Sequence, residues 1–136
     1  MRLSMSNRSV LIIEDSKDQA LLIQHDLKKY FVNDEIKIFE SGGQALASLN
    51  EAKDLPKLII LDLNLGEEQG LDFLESLRQH DELKDVPVIV MSATDEKRDV
   101  IDAYKKGGTA FIPKSANQSE HLLTVIQQLG AAGRIR

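Results

Sequence analysis

Cysteine is absent from the 136 residues. That excludes disulfides, thiol nucleophiles and zinc–thiolate centres. A basic surplus is also missing: the formal net charge is −5 and the isoelectric point about 5.2. Such a balance argues against nucleic-acid binding, which leaves a positive footprint. No apolar run approaches the ~20 residues of a membrane span, and the polar opening from Met1 to Ser9 lacks the apolar stretch of a signal peptide. The expectation is a cytoplasmic protein with no membrane contact. No internal repeat, low-complexity segment or linker divides the chain, so its length suits one domain with a single core.

What is present is a regular alternation. Short apolar runs lie at Val10-Leu11-Ile12-Ile13, Leu58-Ile59-Ile60-Leu61, Val88-Ile89-Val90-Met91 and Ala110-Phe111-Ile112. Their near-continuous apolar character fits parallel strands covered on both faces. Ile36-Lys37-Ile38-Phe39 alternates instead and is expected at a sheet edge. Helical spacing appears between the runs, in Ala20, Ile23, Leu27 and Phe31; in Leu71, Leu74 and Leu77; in Val100, Ala103 and Tyr104; and in Leu122, Ile126 and Leu129. Ser41 is placed to cap a helix containing Ala45, Leu46 and Leu49. Pro56 and Pro87 stand just ahead of runs three and four, and Gly107-Gly108 is suited to end the fourth helix. The pattern is (βα)5, which right-handed crossovers wind into an α/β doubly wound three-layer sandwich around a five-stranded parallel sheet. The domain is expected over 9–129, with 1–8 and 130–136 as flexible termini.

Open α/β sheets hold their sites outside the carboxyl ends of the strands. Those ends carry Glu14-Asp15 after run one, Asp62 after run three, Ser92-Ala93-Thr94 after run four and Pro113-Lys114 after run five. Each residue alone has a plainer explanation: Glu14-Asp15, Asp62 or Ser92 as a helix cap, Lys114 as a solvated lysine. Together they deliver three acids, a hydroxyl and an amine to one edge. Crowded carboxylates repel unless a cation intervenes. All-oxygen donors favour a hard divalent ion, Mg2+ above all, with Mn2+ as a substitute. A carboxylate nucleophile beside metal, lysine and hydroxyl suits phosphoryl transfer to Asp62. His25, His80 and His121 have no ligand spacing and are expected at the surface.

These residues resemble the receiver domain of two-component response regulators, over about Ser9 to Leu129. The resemblance implies a flavodoxin-like sheet of order 2-1-3-4-5. It implies Asp62 as phosphoacceptor, and Glu14, Asp15, Asp62 and the Asn64 backbone carbonyl as the metal's protein ligands. Ser92, Ala93 and Lys114 would contact the phosphoryl group, with Ser92 and Phe111 as switch residues. The phosphoryl donor would be a sensor or hybrid histidine kinase, of the phytochrome type on the form of the 80–86 connection, or a phosphotransfer protein. A downstream protein would read the result. Homodimerisation through the fourth helix, fifth strand and fifth helix is common in the family, and Asp99, Asp102, Lys105 and Lys106 offer mixed charge there. With seven residues after 129, a freestanding regulator without output domain is expected, and not an enzyme in its own right.

Two departures from the family pattern stand out. Ser115 follows Lys114 where proline is usual, and a trans Lys114–Ser115 bond is expected. Gly66 opens an acidic loop, Gly66-Glu67-Glu68-Gln69-Gly70, where proline is common. Competing readings are a haloacid-dehalogenase-like phosphatase and a pseudo-receiver that no longer takes phosphate. The first wants a second acid two residues after its nucleophile, where Asn64 stands; the second conflicts with the complete acid–Asp–Ser–Lys set. No G-x-G-x-x-G follows run one, which removes a dinucleotide-binding reading.

Overall fold

The computed structural model describes residues 9–51, 55–63, 67–93 and 96–135. Five parallel strands form one sheet: β1 (Val10–Ile13), β2 (Ile36–Phe39), β3 (Leu58–Asp62), β4 (Val88–Ser92) and β5 (Ala110–Pro113), in the order β2-β1-β3-β4-β5. The helices are α1 (Lys17–Lys28), α2 (Gly42–Glu51), α3 (Glu67–Arg78), α4 (Lys97–Lys105) and α5 (Gln118–Ala131). This is the expected doubly wound sheet, with β2 on its edge.

Helices α1 and α2 start where a serine side chain satisfies one of their first amides. Ser16 Oγ accepts from Gln19 N–H at 3.3 Å and Ser41 Oγ accepts from Gln44 N–H at 3.2 Å. Both belong to a Ser-x-x-Gln pattern, the capping-box signature. At the far end of α4, Gly107 adopts φ +114°, a conformation open to glycine, and the chain turns into β5.

Strand residues alternate between two apolar layers. Val10, Ile12, Leu58, Ile60, Ile89, Met91 and Ile112 meet α1 and α5 through Ala20, Ile23, Leu27, Leu122 and Ile126. Leu11, Ile13, Ile59, Leu61, Val88 and Val90 meet α2, α3 and α4 through Ala45, Phe73, Leu74, Leu77 and Ala103. Each large aliphatic side chain so buried is worth about 2 kcal/mol. Strands buried on both faces leave only their ends for charged groups.

Three expectations are corrected. Residues 130–135 are not a free tail: α5 runs on to Ala131, and Ile135 packs into the α1/α5 layer beside Phe31. The acidic stretch after Gly66 is not a loop, because Glu67 to Gly70 form the first turn of α3. Gly70 lets that turn sit close, since a Cβ there would lie 2.5 Å from Leu63 Cδ2. Tyr104, grouped with the core by spacing, is 49% exposed, whereas Ala103 is buried. Residues 1–8, Asn64, Gly66, Thr94 and Arg136 lie outside the described residues.

The connection from α3 to β4 folds into a 3₁₀ helix, Asp81–Leu83, with Leu83 buried. Arg78 fastens it. Its guanidinium donates to the carbonyls of Leu83 (2.7 Å) and Lys84 (3.1 Å) and, through the other nitrogens, to Gly107 O at 2.8 and 3.1 Å. Lys106 pairs with Glu75 of α3 at 2.5 Å, so one of the charges expected on a dimer face is engaged within the chain.

Candidate active site at the carboxyl edge of the sheet

The central strand β3 and its neighbour β4 end on their functional groups. Asp62 is the last residue of β3 and lies opposite Met91; Ser92 is the last of β4 and lies opposite Pro113. The carboxylates of Asp62 and Glu14 are carried into the interior, at 1% and 2% exposure, and Ser92 at 1%. Glu14 directly follows β1 and is held from both sides. Its N–H donates to Phe39 O at 2.9 Å, while its Oε2 accepts from Ser16 N–H at 3.2 Å. Asp15, next along, is exposed.

Ligand atoms of Glu14, Asp15 and Asp62 all lie within 4.8 Å of one another. Against them stands Lys114, whose Nζ is 3.0 Å from Asp62 Oδ1 and 3.2 Å from Glu14 Oε1. The main chain of Lys114 is fixed, because its N–H donates to Ser92 O at 2.7 Å, extending the β4–β5 ladder. Burial, with the hydrogen bond and negative charge of Asp62, pushes the Glu14 carboxyl up from 4.5 to about 7. One lysine does not balance three acids, and a hard cation would. Oxygen donors of this number and spacing fit a divalent ion that keeps part of its water shell. Asn64, expected to add a carbonyl, lies outside the described residues.

The structure therefore gathers Glu14, Asp15, Asp62, Ser92 and Lys114 at one edge. Ala93 follows Ser92 in an exposed bend. Phe111 is set back within β5, half-buried against the α2/α3/α4 layer and opposite Val90. Ser92 is no helix cap, since α4 begins at Lys97. Ser16 was missed as part of the site although its signal was legible: the Ser-x-x-Gln pattern places a cap one residue after Asp15, and the same residue's amide anchors Glu14.

The model of the response regulator receiver domain family matches residues 10–127. The chain belongs to that family. Among curated relatives, the response regulator Rcp1 of Synechocystis sp. is 34% identical over 113 residues, covering 79% of this chain and 77% of Rcp1. The KDP operon transcriptional regulatory protein KdpE of Escherichia coli is 38% identical over 106 residues, 78% of this chain but 44% of KdpE. Among solved structures, the Mn2+-bound form of Rcp1 superposes with TM-score 0.73 at 31% identity, covering 90% of this chain and 91% of that one. The phosphorylated cyanobacterial phytochrome response regulator RcpA gives 0.77 at 29% identity, with 90% and 93% covered. Receiver domains are signalling modules that work with a histidine kinase or phosphotransfer partner, and they bind divalent metal.

Proposed function

We propose that this receiver accepts a phosphoryl group on Asp62 from the phosphohistidine of a kinase or phosphotransfer protein. The observation carrying the reading is a buried strand-end carboxylate held 3.0 Å from an ammonium and grouped with two more acids. An Asp62 oxygen attacks phosphorus in line, forming the new P–O bond as the P–N bond to the donor imidazole breaks. Lys114 takes up charge developing on the phosphoryl oxygens. A divalent cation, Mg2+ or Mn2+, held by Glu14, Asp15, Asp62 and the Asn64 carbonyl would supply the remaining positive charge. Ser92 and the Ala93 N–H offer donors to the phosphoryl oxygens.

Ser92 then moves toward the modified Asp62, and Phe111 turns into the space released. A local charge change thus biases a two-state surface formed by α4, β5 and α5. That surface exposes Ile101 at 42% and Tyr104 at 49%, and it suits a downstream protein or a second copy of the chain. Likeness to a phytochrome response regulator supports a sensor or hybrid kinase of that kind as donor. Among the described residues no helix is long and apolar enough to cross a membrane, and a cytoplasmic setting fits such a partner.

Incubation with Mg2+ and acetyl phosphate tests the reading. One phosphoryl group should appear on the peptide containing Asp62, and Asp62→Asn should take up none. Uptake by Asp62→Asn at the normal rate overturns the assignment. Repeated turnover of unrelated phosphoesters would indicate the phosphatase, and neither uptake nor Mg2+ binding the pseudo-receiver. A phosphomimic-bound structure with an unchanged Phe111 rotamer would overturn the switch.

A further inference from the structure

The segment that carries Lys114 is held weakly by its own bonds. Between Pro113, the last residue of β5, and Gln118, the first of α5, residues 115–117 are exposed and include no proline. Ser115 shapes the turn: its Oγ accepts from Asn117 N–H at 3.2 Å and its carbonyl from Gln118 N–H at 3.1 Å. Exposed bonds of this kind contribute little against water.

A buried attachment follows at once in the first turn of α5. Ser119 Oγ donates to Asp26 Oδ2 at 2.6 Å. Asp26 belongs to α1 and is 2% exposed, flanked in the helix by the core residues Ile23 and Leu27. Its salt-bridge partner is Lys29, 3.8 Å away with its side chain 55% exposed, a long and largely screened contact. An apolar residue on this face would be cheaper to bury than a carboxylate. What the carboxylate adds is a short charge-assisted bond and a negative charge beside a helix N-terminus.

We propose that Asp26 and Ser119 are positioning residues for Lys114. The pair pins the first turn of α5 to α1, and Lys114 N–H pins the other end of the segment to Ser92 O. With both ends fixed, the ammonium stays within reach of Asp62. This inference rests on the role given above to Asp62 and Lys114.

The experiment measures phosphoryl uptake from acetyl phosphate with Mg2+ in wild type, Asp26→Leu, Ser119→Ala and Ser119→Thr. Displacing a reacting group by about 1 Å costs ~100-fold, and a loosened segment should cost about tenfold. Asp26→Leu and Ser119→Ala should show that loss, and Ser119→Thr, which keeps the hydroxyl, should recover most of it. In a Lys114→Met background, Ser119→Ala should cause no further loss, which a merely structural bond would not predict. Unchanged uptake in folded Ser119→Ala overturns the proposal, as does an equal loss with and without Lys114. Amide exchange at Lys114 and Ser115, measured without metal, gives a second readout. It should speed up in Ser119→Ala, and unaltered exchange there overturns the pin. Should wild type take up no phosphoryl group, the Asp62 assignment fails by itself and the exchange result still decides the pin.

Discussion

The two edges of the sheet are built from similar residues and obey opposite rules. At the amino edge a lysine is closely matched to a carboxylate. Lys57 meets Asp34 at 2.7 Å, with both side chains mostly covered, and its ammonium lies 5.9 Å from the Phe31 ring. Tyr30 packs edge-on to Phe31 at 5.1 Å, and Ile135 closes the same end. At the carboxyl edge Glu14, Asp15 and Asp62 crowd together, Lys114 pairs with Glu14 and Asp62, and burial forces Glu14 toward the neutral form. Charges at the amino edge serve stability. Those at the carboxyl edge are kept at its expense, which is where a protein tolerates unfavourable electrostatics for the sake of chemistry.

The contrast should break most visibly at Lys114. Lys114→Met should slow phosphoryl uptake about 100-fold, the usual consequence of losing one preorganised charge, measured with acetyl phosphate and Mg2+. Next comes pH. The folded Glu14 carboxyl titrates near 7 against an ordinary 4.5, so the metal-free native state holds a proton that the unfolded chain has released. Its contribution is therefore fully present below pH 4.5 and is lost as pH rises through about 7. Metal-free protein should melt at lower temperature at pH 7.5 than at pH 5.5 on this account, and Mg2+ added near pH 6 should release protons, readable by calorimetry in two buffers. A melting temperature that rises with pH across this window in a Glu14-dependent way would reverse the sign. At the other edge, Lys57→Met should cost about 1 kcal/mol, or about 4 °C in Tm, and leave phosphoryl uptake unchanged. The last effect carries the unusual sign. Asp62→Asn removes one of the crowded negative charges and leaves Lys114 paired with Glu14, so it should raise metal-free stability by about 1 kcal/mol, seen as a higher midpoint in urea, although it abolishes uptake.

Much of the carboxyl edge was legible because parallel strands advertise themselves. Val88 to Met91 are apolar without a break, so the first polar residue, Ser92, marks the strand end, and Asp62 does the same after Leu58 to Leu61. The structure moves the boundary by one residue and makes Asp62 and Ser92 the last strand positions. Asp26 was not legible as a buried group. It stands between His25 and Leu27 ahead of two lysines, like a solvated helix face, and only its i+3 relation to Ile23 hints otherwise. The end of the chain was misread for a related reason. A flexible end was expected from residue 130, but Gly130 lies within α5 against the Tyr30 hydroxyl, where a Cβ would come within 2.6 Å, so the glycine serves close packing.

The grip of Arg78 has a mechanical consequence. One guanidinium ties the 3₁₀ segment and the turn after α4 to the end of α3, and the Lys106–Glu75 pair reinforces the knot. The C-terminal end of α4 is thereby a fulcrum. Any swing of that helix has its short arm at Gly107 and its long arm at Lys97, the end that follows Ser92 and Ala93 in the chain.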